Sequence, residues 1–411
     1  MKVLFTFLYR GGLAHLNPLI ALHYQCRRQN IETAFLVPRF RHEFLKKFNL
    51  NVLDIDHQPS EKMGFRTEIQ AYGKYKPDVV IDDMSMTTQF AAQVSQLPRI
   101  TIQRTGIFPF ETRVNPKHQH SMDPFDISKI PKVSFLGIPQ PRKFTDLFAA
   151  EGKIVPGIRS LEVLPPQIAG DPGYFFAGPL IIDDFIAEAG NQQLSFTSVS
   201  KENPNIENLR DFSSLRQFFE TNGNRKTVYL TYGTIAVGDA PPAIDELIKY
   251  LLSEGVAVVS SVPLVDVEKK YQPLYFFSRY LPMHFVCERV DLMIHHCGSG
   301  TYHYPIIHNV PTIIIGTRCF DREEVAYRLA EKGAASFLPD PVEEPEFLVK
   351  IKKLIDSGLN DAEFIKRQKN QLSRLKSEID RTVSEFNIRE VVESVLRAKQ
   401  TLRMKSTIGT L

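Results

Sequence analysis

Short, unbroken apolar runs alternate with stretches of helical length along the first hundred residues. Val3–Leu8 and Thr33–Val37 read as strands apolar enough to be buried on both faces of a parallel sheet. Val52–Ile55, Asp78–Ile81 and Arg99–Gln103 continue the strand series. Between them, helices are predicted from about Pro18 to Gln29, over Phe40–Phe48 and over Thr87–Gln96. The alternation lapses from Phe108 to about Pro166. That stretch is rich in proline and aromatics, carries His118 and His120, and predicts short helices and mobile loops. Tyr174–Leu180 then reads as a last strand.

A polar, weakly patterned stretch follows and ends in a helix at Ser214–Glu220. A second series begins there, with strands at Thr227–Thr231, Val256–Ser260, Phe276–Tyr280, Leu292–Ile294, Thr312–Ile315 and Ala335–Leu338. Its helices are Pro242–Ser253, Tyr302–His308 and Glu323–Glu331. The rest is charged and helical, up to a terminal helix near Ile388–Leu402. The expected class is α/β: two doubly wound, Rossmann-like domains facing each other across a cleft. We place the first domain at residues 1–182, a linker at 183–223 and the second domain at 224–385. A C-terminal helix at 386–411 can pack back on the first domain.

Length supports two domains, since 411 residues exceed one ordinary core. A formal net charge of +3 gives no electrostatic footprint for nucleic acid. No apolar run approaches the roughly 20 residues needed to span a bilayer, so no transmembrane segment is expected. The opening MKVLFTFLYRGG lacks the apolar core and cleavage site of a signal peptide and reads as a first strand. Four scattered cysteines without CxxC spacing suit reduced thiols and a cytoplasmic location.

The candidate chemistry lies at the predicted carboxyl ends of strands, where ligands bind in such sheets. His15 follows Gly11-Gly12 after the first strand, a place for an exposed imidazole to act as general base. Asp82-Asp83 ends a middle strand. Adjacent strand residues face opposite ways, so only one of the two can orient that histidine. Equally, this pair can simply end a strand and cap the next helix. In the second half, Asp291–Thr301 reads DLMIHHCGSGT: a buried strand, two histidines, Cys297, a Gly298-Ser299-Gly300 turn, and Thr301 placed to cap a helix. Free N–H groups and the helix dipole favour an anion there, with His296 as a further donor, although Gly-Ser-Gly also suits a plain tight turn. His295, His296, Cys297, His303 and His308 fit no standard zinc spacing, and no metal site is expected.

These residues carry a family resemblance. Ala14-His15-Leu16-Asn17-Pro18 resembles the G-H-x-x-P loop of family 1 nucleotide-sugar-dependent glycosyltransferases of the GT-B fold, natural-product and macrolide types among them. Pro77–Asp83 is similar to their strand ending in the histidine's aspartate. Gly178-Pro179 is similar to their exit from the first domain, and Val228–Thr234 to the opening strand and turn of the second. His295–Thr301 resembles H-H-G-G-x-G-T, and Asn309-Val310-Pro311 the following G-V-P.

The resemblance implies an inverting transfer of a sugar from a UDP- or dTDP-linked donor to a hydroxyl of a small-molecule acceptor. His15 would deprotonate the acceptor and Asp83 orient it. Gly233, Thr234, His296, Gly298, Ser299, Gly300 and Thr301 would hold the diphosphate, Tyr280 and Leu281 the base, and Asp321 and Arg322 the sugar. No cofactor or metal is implied beyond the nucleotide sugar as co-substrate, and a homodimer is an expected assembly. The chain departs from the pattern at Tyr304, where relatives carry an acid, at Pro305, at Cys297 in a glycine's place, and at Arg322 in place of glutamine. Arg322 can meet an anionic group on the sugar or pair with Glu323 or Glu324. Two alternatives follow: a glycosyltransferase-like subunit that binds sugar nucleotide or activates a partner, and a nucleotide-cofactor oxidoreductase. Against the latter, Gly11-Gly12 does not form G-x-G-x-x-G.

Overall fold

The computed structural model describes residues 1–7, 13–47, 49–55, 61–109, 137–182, 212–232, 241–264, 266–278, 281–317, 319–339 and 342–408. The chain forms two compact units, the first holding most of the chain up to Ile182 and again from Ile379, the second lying between Asp183 and Glu378.

The first unit is built on six parallel strands: β1 (Lys2–Thr6), β2 (Glu32–Leu36), β3 (Val79–Asp82), β4 (Arg99–Ile102), β5 (Gly152–Val155) and β6 (Tyr174–Phe176). Their order is β2-β1-β3-β4-β5-β6. Every residue of β3 and β4 is buried, including the charged Asp82 and Arg99 among their apolar neighbours. Helices α1 (Leu13–Arg28), α2 (His42–Lys47), α3 (Glu61–Tyr75) and α4 (Thr88–Val94) connect the early strands. The order reverses between β1 and β3, with Thr6 level with Asp82. In open sheets of this kind, that reversal point is where a crevice forms beyond the strand ends.

Four expectations need correction here. Helix α1 begins at Leu13 rather than near Pro18, so His15 stands in a first helical turn and not on a loop. Pro18 lies inside the helix, where it gives up one N–H. Val52–Ile55 is not a strand: only Val52 bridges to Phe35, whose N–H donates to Asn51 O (2.8 Å) and whose carbonyl accepts from Leu53 N (2.9 Å). Strand β5 runs through the stretch read as irregular, with Lys153 tied to Asp171 at 3.0 Å.

The second unit repeats the plan. After α5 (Phe212–Thr221) come β7 (Thr227–Thr231), α6 (Pro242–Ser253), β8 (Ala257–Ser260), β9 (Tyr275–Phe277), α7 (Met283–Cys287), β10 (Leu292–His295) and α8 (His303–His308). Then follow β11 (Thr312–Ile315), α9 (Phe320–Glu331), β12 (Ser336–Leu338), α10 (Phe347–Asn360) and α11 (Ala362–Glu385). The parallel order is β12-β11-β10-β7-β8-β9, reversing between β7 and β10, where Thr231 is level with His295. Val228, Leu230, Leu292, Ile294 and Ile313 from the strands pack with Leu247, Leu251, Phe347 and Ile351 from α6 and α10. Each such side chain contributes roughly 1.5–3 kcal/mol by its burial.

The terminal helix α12 (Ile388–Ile408) belongs to the first unit. Arg389 N donates to Gln29 Oε1 at 3.1 Å, and Lys399 Nζ pairs with Glu151 at 2.5 Å. Gly152 on β5 lets the helix come close, since a Cβ there would stand 2.7 Å from Val395 Cγ2. Among the described residues, no helix is long and apolar enough to cross a membrane.

Candidate active site

At the reversal point of the first sheet, His15 Nδ1 lies 3.0 Å from Asp83 Oδ1. The imidazole is 24% exposed, while the carboxylate is fully buried. The Phe7 ring stacks on the imidazole at 6.0 Å. Asp82 faces the other way, as strand alternation requires, and forms a two-point ion pair with Arg99: Nε to Oδ1 2.7 Å and Nη2 to Oδ2 2.9 Å. Arg99 Nη1 also donates to the carbonyls of Leu147 (2.8 Å) and Ala149 (3.1 Å). Asp83 has a cation of its own. Arg104 donates through Nη2 to Oδ2 at 2.6 Å and through Nη1 to Oδ1 at 3.0 Å. Burial works against ionisation of Asp83, yet Arg104 and His15 together hold its carboxyl below the usual range. An ionised Asp83 only accepts, so the hydrogen facing it sits on Nδ1 of His15.

Sequence reasoning missed Arg104. A signal was available: two consecutive buried carboxylates need two cations, and Arg99 and Arg104 flank the next strand in the sheet.

The second unit carries a different site at its own reversal point. His295 ends β10, and its Nδ1 accepts from Cys297 N at 3.0 Å. Cys297 is buried and takes φ +57°, the left-handed conformation that favours glycine. A turn follows, in which Gly298 O accepts from Thr301 N (2.7 Å) and Tyr302 N (3.2 Å). The N–H groups of Ser299 and Gly300 give no hydrogen bond to any described residue. His296 lies over this turn: a Cβ on Gly298 would come within 2.7 Å of its Nε2. The Tyr232 ring stands 6.0 Å from that of His296.

Burial pushes His295 down to about 3. His296 is pushed to about 3 by burial, with Arg322 and His295 adding to it. Burial likewise takes His303 to about 3, against the pull of the Ser299 backbone. All three are neutral imidazoles at neutral pH.

Thr301 does not cap a helix. The cap position of α8 is Tyr302, without a side-chain bond, and the helix has only six residues. What the turn offers an anion is therefore its own N–H groups and His296, with little help from a helix dipole. Asn309, in the glycine's place of G-V-P, takes φ 55° as the left-handed cap, which asparagine tolerates.

Leu281 precedes α7, and Asp321 and Arg322 lie in the first turn of α9. The charge of Arg322 reaches both His296 and Tyr232. Of the neighbouring acids, Glu323 Oε1 accepts from Thr317 N at 2.8 Å, and Glu324 faces Arg328 at 3.6 Å. Tyr304 is buried, edge-on to His284 at 5.2 Å. Gly233, Thr234 and Tyr280 lie outside the described residues, as do Gly11-Gly12, His118, His120 and most of the expected linker. Among the described residues, no group of three or more His, Cys, Asp or Glu is placed to hold a metal ion.

Two parallel six-stranded α/β units, each with its candidate site at the sheet reversal, define the GT-B fold. Residues 276–385 match the erythromycin biosynthesis protein CIII-like C-terminal domain. The likeness of that domain lies in the second unit, around β10 and the turn that follows it. The chain is 29% identical over 129 residues to 4'-demethylrebeccamycin synthase of Lentzea aerocolonigenes, covering 31% of this chain and 30% of that one. Over 63 residues it is 36% identical to 10-deoxymethynolide desosaminyltransferase of Streptomyces venezuelae, 15% of each. The matches thus span a third or less of the curated relatives' lengths. Among solved structures, the glycosyltransferase VinC in complex with dTDP aligns over 97% of this chain and 100% of its own, with TM-score 0.61 and 15% identity. UGT71G1 of Medicago truncatula, complexed with UDP-glucose, aligns over 96% and 98%, with TM-score 0.67 and 13% identity. At these identities the structures speak for the fold.

Proposed function

We propose that this chain moves a sugar from a nucleoside diphosphate donor to a hydroxyl of a small-molecule acceptor, inverting the anomeric carbon. The observation that carries the reading is the 3.0 Å contact of His15 Nδ1 with the buried Asp83 at a sheet reversal point. It makes Nδ1 the donor to Asp83 and assigns the role of base to Nε2. Nε2 takes the acceptor's proton as the acceptor oxygen bonds to the anomeric carbon, and the bond from that carbon to the diphosphate breaks. The diphosphate is met by His296 and the N–H groups of the 298–301 turn, with Arg322 at the sugar end and no metal in the step. The solved neighbours bound to dTDP and to UDP-glucose support either nucleotide as the carrier.

The test begins with UDP, dTDP and their sugars in a thermal-shift series. A ligand at about 100 times its Kd stabilises by about 2.7 kcal/mol. His15→Ala is expected to keep that shift and lose about 10²–10⁴-fold in turnover. Gly298→Ala, whose methyl meets His296, is expected to weaken nucleotide binding by about tenfold, some 1.4 kcal/mol. Unchanged turnover in His15→Ala would sink the mechanism.

Tyr304, packed on His284 where relatives carry an acid, supports a second reading: a subunit that binds donor and activates a partner. Donor binding without product, together with acceleration of a partner enzyme, would select it.

A further inference from the structure

The anion turn of the second unit is held from inside the sheet. His295 ends β10 in the middle of the parallel order, level with Ile314 of β11 and Thr231 of β7. Its ring is fully buried, and Nδ1 accepts the N–H of Cys297 at 3.0 Å. A side-chain acceptor two residues before the amide it binds repeats the geometry of an asparagine or aspartate turn. Because Nδ1 accepts, the ring hydrogen of the neutral imidazole sits on Nε2. That donor is buried and reaches no acceptor among the described residues. We propose that His295 is a positioning residue, whose Nδ1 holds Cys297 in the left-handed conformation and so shapes the 298–301 turn for the donor's diphosphate. The proposal rests on the transferase reading for the ligand, though not for the hydrogen bond itself.

Cysteine does not favour that conformation. At φ +57° its Cβ crowds the backbone, whereas glycine takes the same place without that penalty. The bond from Cys297 N to the ring holds the residue there, at the point where the strand ends. A change of backbone hand turns successive N–H groups towards one side, the concavity that takes an anion. The N–H groups of Ser299 and Gly300, which give no hydrogen bond to any described residue, follow at once. His296 is carried by the same span, since its backbone lies between the accepting ring and the donating amide. Fixing that span also fixes the imidazole that lies over Gly298. The unbonded Nε2–H decides between packing and positioning as the role of the His295 ring. Burying a donor without a partner disfavours the fold, so leucine would serve packing here better than histidine. What leucine lacks is the acceptor at Nδ1.

The test measures UDP and dTDP binding by calorimetry, and melting without ligand, on full-chain variants. His295→Leu is expected to weaken binding of the nucleotide that the wild type takes by about tenfold or more. His295→Asn puts an amide oxygen at the place of Nδ1 and should stay within about threefold of the wild type, even where it melts lower. Cys297→Gly removes the need for the hydrogen bond, so His295→Leu in that background should cost about threefold or less. A histidine that only packs would weaken binding alike in His295→Leu and His295→Asn, and in either background. In ¹⁵N-histidine spectra of the wild type, the His295 ring is assigned by its loss in His295→Asn and should carry its hydrogen on Nε2. If His295→Leu does not fold, His295→Asn and the ring spectrum still decide. Undiminished affinity in His295→Leu, a loss of about tenfold in His295→Asn, equal losses in the two backgrounds, or a hydrogen on Nδ1 each overturn the proposal. Binding of neither nucleotide by the wild type overturns the transferase reading instead, and the ring spectrum then judges His295.

Discussion

The two units place their candidate sites at equivalent points of equivalent sheets, yet build them from opposite materials. In the first unit the strand end is ionic: two adjacent aspartates, each locked to its own arginine, with the imidazole attached to one of them. In the second unit the strand end is neutral: three buried histidines pushed to about 3 around a glycine turn. The difference follows from what each is proposed to hold. A base that must accept a proton needs a fixed charge pattern before the substrate arrives. A cradle for a dianion gains most from neutral N–H dipoles, which bring no charge of their own to be stripped of water when the site is empty.

The sharpest way to break the comparison is to unpair an aspartate. Asp82→Ala strands Arg99, which is 2% exposed, and is expected to cost about 3–5 kcal/mol in urea denaturation. A loss below about 1 kcal/mol would mean that the first site is not held together by its ion pairs.

Acid should strike the other unit. Unfolded, its buried histidines take up protons near 6.5; folded, only near 3. Their contribution is therefore complete above pH 6.5 and lost as pH falls. Between pH 6.5 and 5 the loss is about 2 kcal/mol per histidine. Glu68 in the first unit runs the other way. Its folded value near 8 lies above the unfolded 4.5, so its contribution is full below 4.5 and fades as pH rises through 8. Denaturation monitored at pH 7 and pH 5 should show the second unit weakening on acidification. Equal stability at the two values would show that water reaches the imidazoles.

The smallest effect belongs to Cys297. Because its backbone is left-handed, Cys297→Gly relieves about 1 kcal/mol of strain and offsets the lost thiol. Cys297→Ala keeps the strain and should be the less stable of the two, by about 1 kcal/mol in melting measurements. The reverse order would place the residue outside that conformation.

Much of this was legible in the chain. Strands such as β7 and β11 have apolar centres and are buried throughout, and alternation at Asp82-Asp83 already allowed only one partner for His15. What was not legible depends on distant contacts. β5, with the sequence GKIV, is short and carries a lysine, and becomes a strand only because neighbours on both sides pair with it. α3 contains Gly64 and Gly73 and shows little amphipathic signal. Arg104 follows its strand with no local pattern, and its partner lies 21 residues away. The histidines of the second unit could be named from sequence, but their neutrality follows from burial that no spacing encodes.

The close approach of Val395 to Gly152 has a consequence for biosynthesis. The first unit begins at the first strand but is closed by the last helix, so its core stays open until residues beyond 395 have left the ribosome. The elements of the second unit from β7 to α10 are consecutive in sequence and can fold on the way. During synthesis, then, the half that starts first finishes last, and the uncovered face of β5 is the surface a chaperone would meet.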